Sequence, residues 1–360
     1  MRSTVYGVIS DTHNHSWRAF SKVLPSGVNS RLQQTLDETR RCADEVKKAG
    51  GNLLIHCGDM FHVRGSVTPS VLNPTLALYK ELIADGMNIV LAAGNHDAED
   101  NSITDLGSAI TALREVGCVT INSNCYIAPL TLTSGGLLAI PWSTKEQVLE
   151  ALGDKGYCSV ENRAKTDVFI HAGIDGVIKG LPNHGLTVED LSAFGYRRIF
   201  AGHYHNHKNL GSGVYSVGAL THQTWSDVGS KAGFLLVTDD SVEWRASRAP
   251  QFIEIDEKTS PEDIPLLADG NYVRARITTN KDSEVTEFRN YLTGCGAKGV
   301  SLICNSASEV IRTGSSVKAG SSLEVSVSEY IESQEIEHKK DVSKLCAEIL
   351  TDVRSVKGAE

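Results

Sequence analysis

The chain has 360 residues, 41% hydrophobic and 22% charged, an ordinary globular composition long enough for two or three domains. No apolar run reaches the ~18 residues of a membrane span, so no membrane partner is expected. The net charge of −9 speaks against a uniformly basic nucleic-acid-binding surface, although acids gathered around bound cations would be locally offset.

The first predicted strand, Val5 to Ile9, runs into Asp11-Thr12-His13. It leaves no room for a signal peptide, and a cytoplasmic location is expected. Arg31 to Ala49 reads as an amphipathic helix. Leu53 to Ile55 is a second strand, followed by Gly58-Asp59 and His62. A helix over Leu72 to Ala84 stops at Asp85-Gly86, and the strand Ile89 to Ala93 leads into Gly94-Asn95-His96-Asp97. Ser108 to Val116 reads as a third helix, ended by Gly117. Strands over Val168 to Ile170 and Arg198 to Ala201 precede His171 and Gly202-His203-Tyr204-His205. Val214 to Val217 and Phe234 to Thr238 are two further short strands.

Three prolines and a run of acids near 250 to 265 read as a linker closing a domain over residues 1–250. Beyond it, strand Tyr272 to Thr278, helix Glu284 to Leu292 and strand Gly299 to Cys304 suggest a small second domain over 251–313. Gly314 to Ser322 reads as a flexible link. The segment 314–360 then ends in an amphipathic helix, with Val342, Leu345, Cys346, Ile349, Leu350 and Val353 on one stripe. The eight cysteines show no CxxC pair and read mostly as buried free thiols.

Five polar clusters thus follow five apolar strands, where open α/β sheets present ligands at strand carboxyl ends. Carboxylate, amide oxygen and imidazole suit hard or borderline divalent cations. Asp59 can bridge two cations, with Asp11, His13 and His205 completing one set and Asn95, His171 and His203 the other. A water or hydroxide between the ions would attack phosphorus. His96 is the expected proton donor or oxyanion stabiliser, with Asp97 setting its tautomer, and His62 lines the site. Separately, an Asp-x-His or a Gly-Asn is an ordinary turn and a lone histidine is more often a satisfied core residue. The order of all five makes the joint metal reading specific. His56 reads as buried, His15, His184, His207 and His222 as polar-loop residues, and His338 as solvated.

This order resembles the calcineurin-like metallophosphoesterases. Gly58-Asp59-Met60-Phe61-His62, Gly94-Asn95-His96-Asp97 and Gly202-His203-Tyr204-His205 resemble the branch of SbcD-type DNA repair nucleases. Ile140-Pro141-Trp142 and Asn183-His184-Gly185-Leu186 are similar to the recombination endonuclease subunit of T-even-like phages, which would place the protein in a host-cell cytoplasm. Thr12, where that branch often has an aromatic, and the absence of a flanking acid at His171 are departures.

The resemblance implies an α/β fold, a four-layer α/β/β/α sandwich with a small α+β capping domain and a C-terminal helical tail. It implies Mn2+-dependent (alternatively Mg2+-dependent) hydrolysis of DNA phosphodiesters, as a 3′-to-5′ exonuclease and single-strand endonuclease in recombination, repair or replication. The implied partners are DNA, a second copy of the chain and an SbcC-like coiled-coil ATPase bound by the tail. Arg274, Arg276, Arg289 and Lys298 are candidate phosphate contacts in the capping domain. The competing enzymatic reading is a phosphodiesterase or phosphatase for a small nucleotide or phosphoprotein, which would use the same ligands.

Overall fold

The computed structural model describes residues 4–100, 107–122, 126–132, 135–180, 185–305, 322–333, 336 and 338–357. His184, Cys125 and all but the last residue of the 314–322 link lie outside the described residues.

Strand β1 (Tyr6–Ile9) leads through a long loop to helix α1 (Ser30–Lys48), which returns to β2 (Leu53–His56). Asn29 caps α1, its side-chain oxygen accepting the amide N–H groups of Arg31 and Leu32. Helix α2 (Pro69–Ala84) begins three residues earlier than its apolar pattern suggests, because Pro69 suits a first helical position. It feeds β3 (Asn88–Ala92). Ala109–Val116, expected as an α-helix, is a 3-10 helix ended by Gly117 in the left-handed conformation, and β4 (Val119–Ile121) follows. These four strands are parallel neighbours in chain order.

The sequence reading missed the antiparallel pair β5 (Tyr126–Leu132) and β6 (Gly135–Ile140) and the helix α3 (Lys145–Gly153). After the short helix α4 (Val160–Arg163) come β7 (Thr166–His171), α5 (Val188–Ser192) and β8 (Arg198–Gly202), then β9 (Lys208–Gly211) and β10 (Val214–Ser216). Strand β11 (Gly233–Val237) returns antiparallel to β1, and β12 (Val242–Ala246) pairs antiparallel with β11 at the sheet edge. The result is two six-stranded sheets, ordered β12-β11-β1-β2-β3-β4 and β5-β6-β7-β8-β10-β9.

The central strands β1, β2, β7 and β8 are buried on both faces, which is why they read as continuous apolar runs. Tyr6, Val8, Ile55, Phe169, Phe200 and Leu235 form the core between the sheets, with the Phe169 and Phe200 rings stacked at 5.3 Å. Ile9, Leu54 and Leu91 point the other way, onto α1 and α2, and Leu138, Ile170 and Ile199 point onto α3 and α5. The layers are therefore helix, sheet, sheet, helix, the expected four-layer sandwich. Tyr6 on one sheet donates to Asp167 on the other at 2.5 Å, and Arg197 and Arg198 neutralise that buried carboxylate.

The acidic, proline-rich stretch read as a linker is structured. It contains β13 (Phe252–Ile255) and α6 (Ile264–Ala268), and β13 lies parallel to β14 (Tyr272–Thr278). With α7 (Asp282–Gly294) and β15 (Gly299–Asn305) these form a three-stranded sheet with its own small core of Ile255, Val273, Ala275 and Leu292. One compact unit takes in Met1–Ile277 and Lys281–Cys304, so the small sheet and the sandwich pack as one body. Phe20 stacks on Tyr272 at 5.2 Å, and the Arg31 guanidinium covers Phe252 at 5.0 Å.

The second unit comprises Thr278–Asn280 and Asn305–Glu360 and contains helices α8 (Leu323–Ser333) and α9 (Lys339–Lys357). Cys346 and Leu350 of the predicted stripe face Val327 and Ile331 of α8, whereas Leu345 and Ile349 stay 58% and 53% exposed. Among the described residues no helix is long and apolar enough to cross a membrane. Described cysteines are all free: four are buried, Cys295 and Cys346 are half-buried, and Cys304 is exposed, contrary to its apolar context.

Candidate metal centre

The five polar clusters meet at one edge because β1, β2, β3, β7 and β8 all end there. The turn after β1 continues the ladder onto the turn after β2: Asp11 donates its amide N–H to Gly58, His13 to Asp59 and Asn14 to Met60. Asp11, His13, Asp59 and His203 all adopt positive φ, at 49°, 42°, 56° and 102°. Backbone so strained persists only where surrounding contacts over-determine it, and it concentrates at functional sites. Two glycines make room. A Cβ on Gly94 would lie 2.1 Å from an Asp59 carboxylate oxygen, and one on Gly58 would lie 2.2 Å from Nδ1 of His171.

All seven predicted ligands come together. The ligand atoms of Asp11, His13 and His205 lie within 4.8 Å of one another, as do those of Asp59, His171 and His203. Asp59 Oδ2 stands between the sets, 3.7 Å from Nε2 of His13 and 3.4 Å from Nε2 of His171. The Asn95 side-chain oxygen is 3.2 Å from Nε2 of His171 and 3.2 Å from Nδ1 of His203. Asp11 accepts the amide N–H of His203, linking the first cluster in the chain to the last.

Whether this donor set suits a cation can be read from its hydrogen bonds. His171 Nδ1 lies 2.7 Å from the Cys57 carbonyl, which can only accept, so that nitrogen carries a proton. In the neutral ring Nε2 is then a lone pair aimed at two other acceptors, Asp59 and Asn95. His205 repeats the arrangement: Nδ1 donates to Asp227 at 2.7 Å, leaving Nε2 3.2 Å from Nε2 of His13. Converging lone pairs need a positive charge between them, and an orienting carbonyl or carboxylate behind the imidazole is the usual support of a metal-binding histidine.

The electrostatics agree. Burial alone would raise the Asp59 carboxyl, but the His171 and His13 imidazoles hold it well below the usual carboxylate range. Burial would lower His171, yet Asp59 holds it up at about 9, so a proton and a cation compete for the same Nε2 lone pair. Burial, with His171 second, pushes His203 down to about 4. The residues fit two divalent ions.

His96 lies beside the cluster without joining either set, its ring 4.8 Å from that of His13. Its tautomer is not set by Asp97, correcting the sequence expectation. Asp97 is buried, its oxygens accepting the amide N–H groups of Met60, Phe61 and Gly94, so it braces the turns carrying Asp59 and Asn95. The His62 carbonyl takes the Nδ1 proton of His96 instead, at 2.7 Å. His62 lines the site as expected, with its ring 5.6 Å from His96 and 5.3 Å from His13. His13, His62 and His96 also bring their ligand atoms within 4.8 Å of one another.

Sequence reasoning missed three contributors. Asp227 fixes His205, and Gln223 holds the carbonyls of Asp11 and Thr12 at 3.2 Å each. Trp17 lies 4.5 Å from His62. Trp17 and Gln223 sit in loops and Asp227 ends the short 3-10 helix Trp225–Asp227, so none carries a periodic or spacing signal. His222, read as a loop residue, is buried, with Nε2 on the Ser230 carbonyl and Nδ1 accepting the Phe252 amide. Three of the four candidate cations of the capping domain are engaged, Arg274 and Arg276 with Glu254 and Arg289 with the Val300 carbonyl, while Lys298 is exposed.

A strand-end cluster of this composition inside a four-layer sandwich defines a metal-dependent phosphoesterase. The calcineurin-like phosphoesterase family model matches residues 5–207, and the chain belongs to that family, whose members are hydrolases that use two divalent metal ions. A dimetal phosphatase from Danio rerio is similar in structure, with a TM-score of 0.43 and 12% identity over 65% of this chain and 92% of that one. No curated protein sequence matches the chain.

Proposed function

We propose that this phosphoesterase is a DNA nuclease of the SbcD type, hydrolysing phosphodiester bonds with Mn2+. Its activities would be 3′-to-5′ exonucleolytic and single-strand endonucleolytic, in recombination, repair or replication. The observation that carries the nucleic-acid reading is the pair of tryptophans at the two ends of the histidine cluster. Trp17 meets His62 at 4.5 Å, and Trp142 meets His203 at 5.1 Å. Aromatic faces beside a phosphate-binding centre are what unpaired bases stack on.

Asp11, His13 and His205 would hold one ion and Asn95, His171 and His203 the other, with Asp59 shared. When bound, the ions supply a water of lowered pKa and neutralise charge on the phosphoryl oxygens. The remaining steps belong to the chain. Nδ1 of His96 donates to the His62 carbonyl, which leaves Nε2 facing the site; in the doubly protonated ring it would give its proton to the departing oxygen and return to the neutral Nδ1–H form. Asp227 and the Cys57 carbonyl keep His205 and His171 in the ligating tautomer. The exposed Leu345 and Ile349 of α9 would receive the ATPase partner, and the working form would be a homodimer.

The test compares wild type with His96→Ala on linear duplex DNA, single-stranded circles and small phosphodiesters in Mn2+. We expect metal-dependent DNA cleavage that falls about 10²–10⁴-fold in the variant while its bound metal is unchanged. Turnover of small esters with no DNA cleavage, even with the ATPase present, would assign the site to a small-substrate phosphatase.

A further inference from the structure

We propose that the cleft beside His203 and His205 is the track of a single polynucleotide strand, gripped by its phosphates on Lys179, Lys208 and Lys231; this rests on the nuclease reading of the neighbouring cluster. The cleft has a volume of about 770 Å³. Its three lysines are all exposed, and they line the same cleft of a molecule whose net charge is −9.

None of the three forms an ion pair among the described residues. Lys208 donates to the Gly176 carbonyl at 2.6 Å, and Lys231 lies 5.6 Å from the Trp244 ring centre. The one carboxylate among the described lining residues is Asp227, already occupied by His205 and by the amide N–H groups of Gln223 and Thr224. The positive charge of the cleft is therefore uncompensated, and it adjoins the cluster that would take the scissile phosphate.

A second, smaller cleft of about 390 Å³ shares His203 and Tyr204 with the first and is lined by Trp142. The route across the cluster thus passes from a cationic cleft, by the Tyr204 ring, to a tryptophan. Cations along a groove with interleaved aromatics bind single strands without sequence preference. A small phosphate ester places its only charge at the metal centre and has nothing left for the lysines. A polynucleotide carries further phosphates into the cleft. The engaged arginines of the capping sheet do not offer an equivalent surface.

The test uses the full chain and the triple variant K179A/K208A/K231A. Binding of a short fluorescein-labelled single-stranded oligonucleotide is followed by anisotropy in EDTA across a salt series. Hydrolysis of bis(p-nitrophenyl) phosphate is followed separately in Mn2+. The proposal expects Kd to rise about tenfold or more and the salt slope to fall by about 2, at ~0.7 per lost phosphate contact on a single strand. Small-ester hydrolysis should stay within about twofold of wild type.

Unchanged Kd and slope, or no binding by the wild type at low salt, would overturn it. If the triple variant loses turnover of a phosphoserine peptide while its oligonucleotide binding is unchanged, the cleft belongs to a phosphoprotein and the proposal is wrong. If the oligonucleotide binds through the lysines but is never cut in Mn2+, the cleft assignment stands and the nuclease reading falls.

Discussion

Burial strips His56 of water on every side, and its two nitrogens are used by the turns that carry the first ligands. The Gly58 amide donates to Nδ1, and Nε2 meets the Thr12 hydroxyl at 3.0 Å, which in turn donates to the Met60 carbonyl. Burial first, and then His171, push this imidazole down to about 3. An unfolded histidine titrates near 6.5. Above that pH both states are neutral and the group is indifferent to folding. As pH falls from about 6.5 towards 3, the unfolded chain binds a proton that the folded one refuses. Stability should therefore drop by up to about 1.4 kcal/mol per pH unit from this group alone. In His56→Gln, denaturant midpoints at pH 7 and pH 5 should lie closer together than in wild type. Equal spacing would show that His56 does not titrate on unfolding.

Asp227 acts at the same scale through a different atom. Truncating it to Ala removes the acceptor that keeps a proton on Nδ1 of His205. The expected loss is 10–100-fold in metal affinity or turnover, roughly the range for such supporting partners. Metal titration of a variant with unchanged circular dichroism checks it. Full affinity in that variant would mean that His205 is oriented by something else.

At the scale of elements, Asn29 joins a helix to a working loop. Its oxygen caps α1, while its amide nitrogen donates to the Trp17 carbonyl at 2.8 Å. Asn29→Ala should lower stability by about 1 kcal/mol, read as a shift in denaturant midpoint. It should also loosen Trp17, seen as a fluorescence change that an ordinary cap loss would not produce.

Which elements were legible follows from the same physics. Strands β1, β2, β3, β7 and β8 are covered on both faces, so their apolar runs stand out, and their polar ends gave every candidate ligand. Strand β13 was hidden because Glu254 within it serves Arg274 and Arg276, and a charge inside a four-residue strand reads as a linker. The Ala109–Val116 segment has a helical apolar pattern, but periodicity does not separate 3-10 from α geometry over eight residues. Asp97 was misassigned because adjacency in sequence suggested a partner for His96. The turn instead points the two side chains apart, one into the amides below Asp59 and one along the rim.

For the whole molecule, the division of labour is between the sandwich with its small sheet, which contains every candidate ligand, and a separate helical unit. Truncation after residue 322 should leave metal content and small-ester turnover within about twofold, because the described cluster draws no residue from α8 or α9. Co-purification with a coiled-coil ATPase should be lost in the same truncation. Retained co-purification would move the partner surface elsewhere.

The claim beneath all of this is that one carboxylate, Asp59, is shared by two cations. Loading the purified chain with Mn2+ and recording its electron paramagnetic resonance tests that directly. Two bound ions per chain with an exchange-coupled spectrum, as for ions ~3.5–4 Å apart, are expected for wild type, and the coupling should vanish in Asp59→Asn. A single ion, or two magnetically independent ions in the wild-type protein, would contradict it.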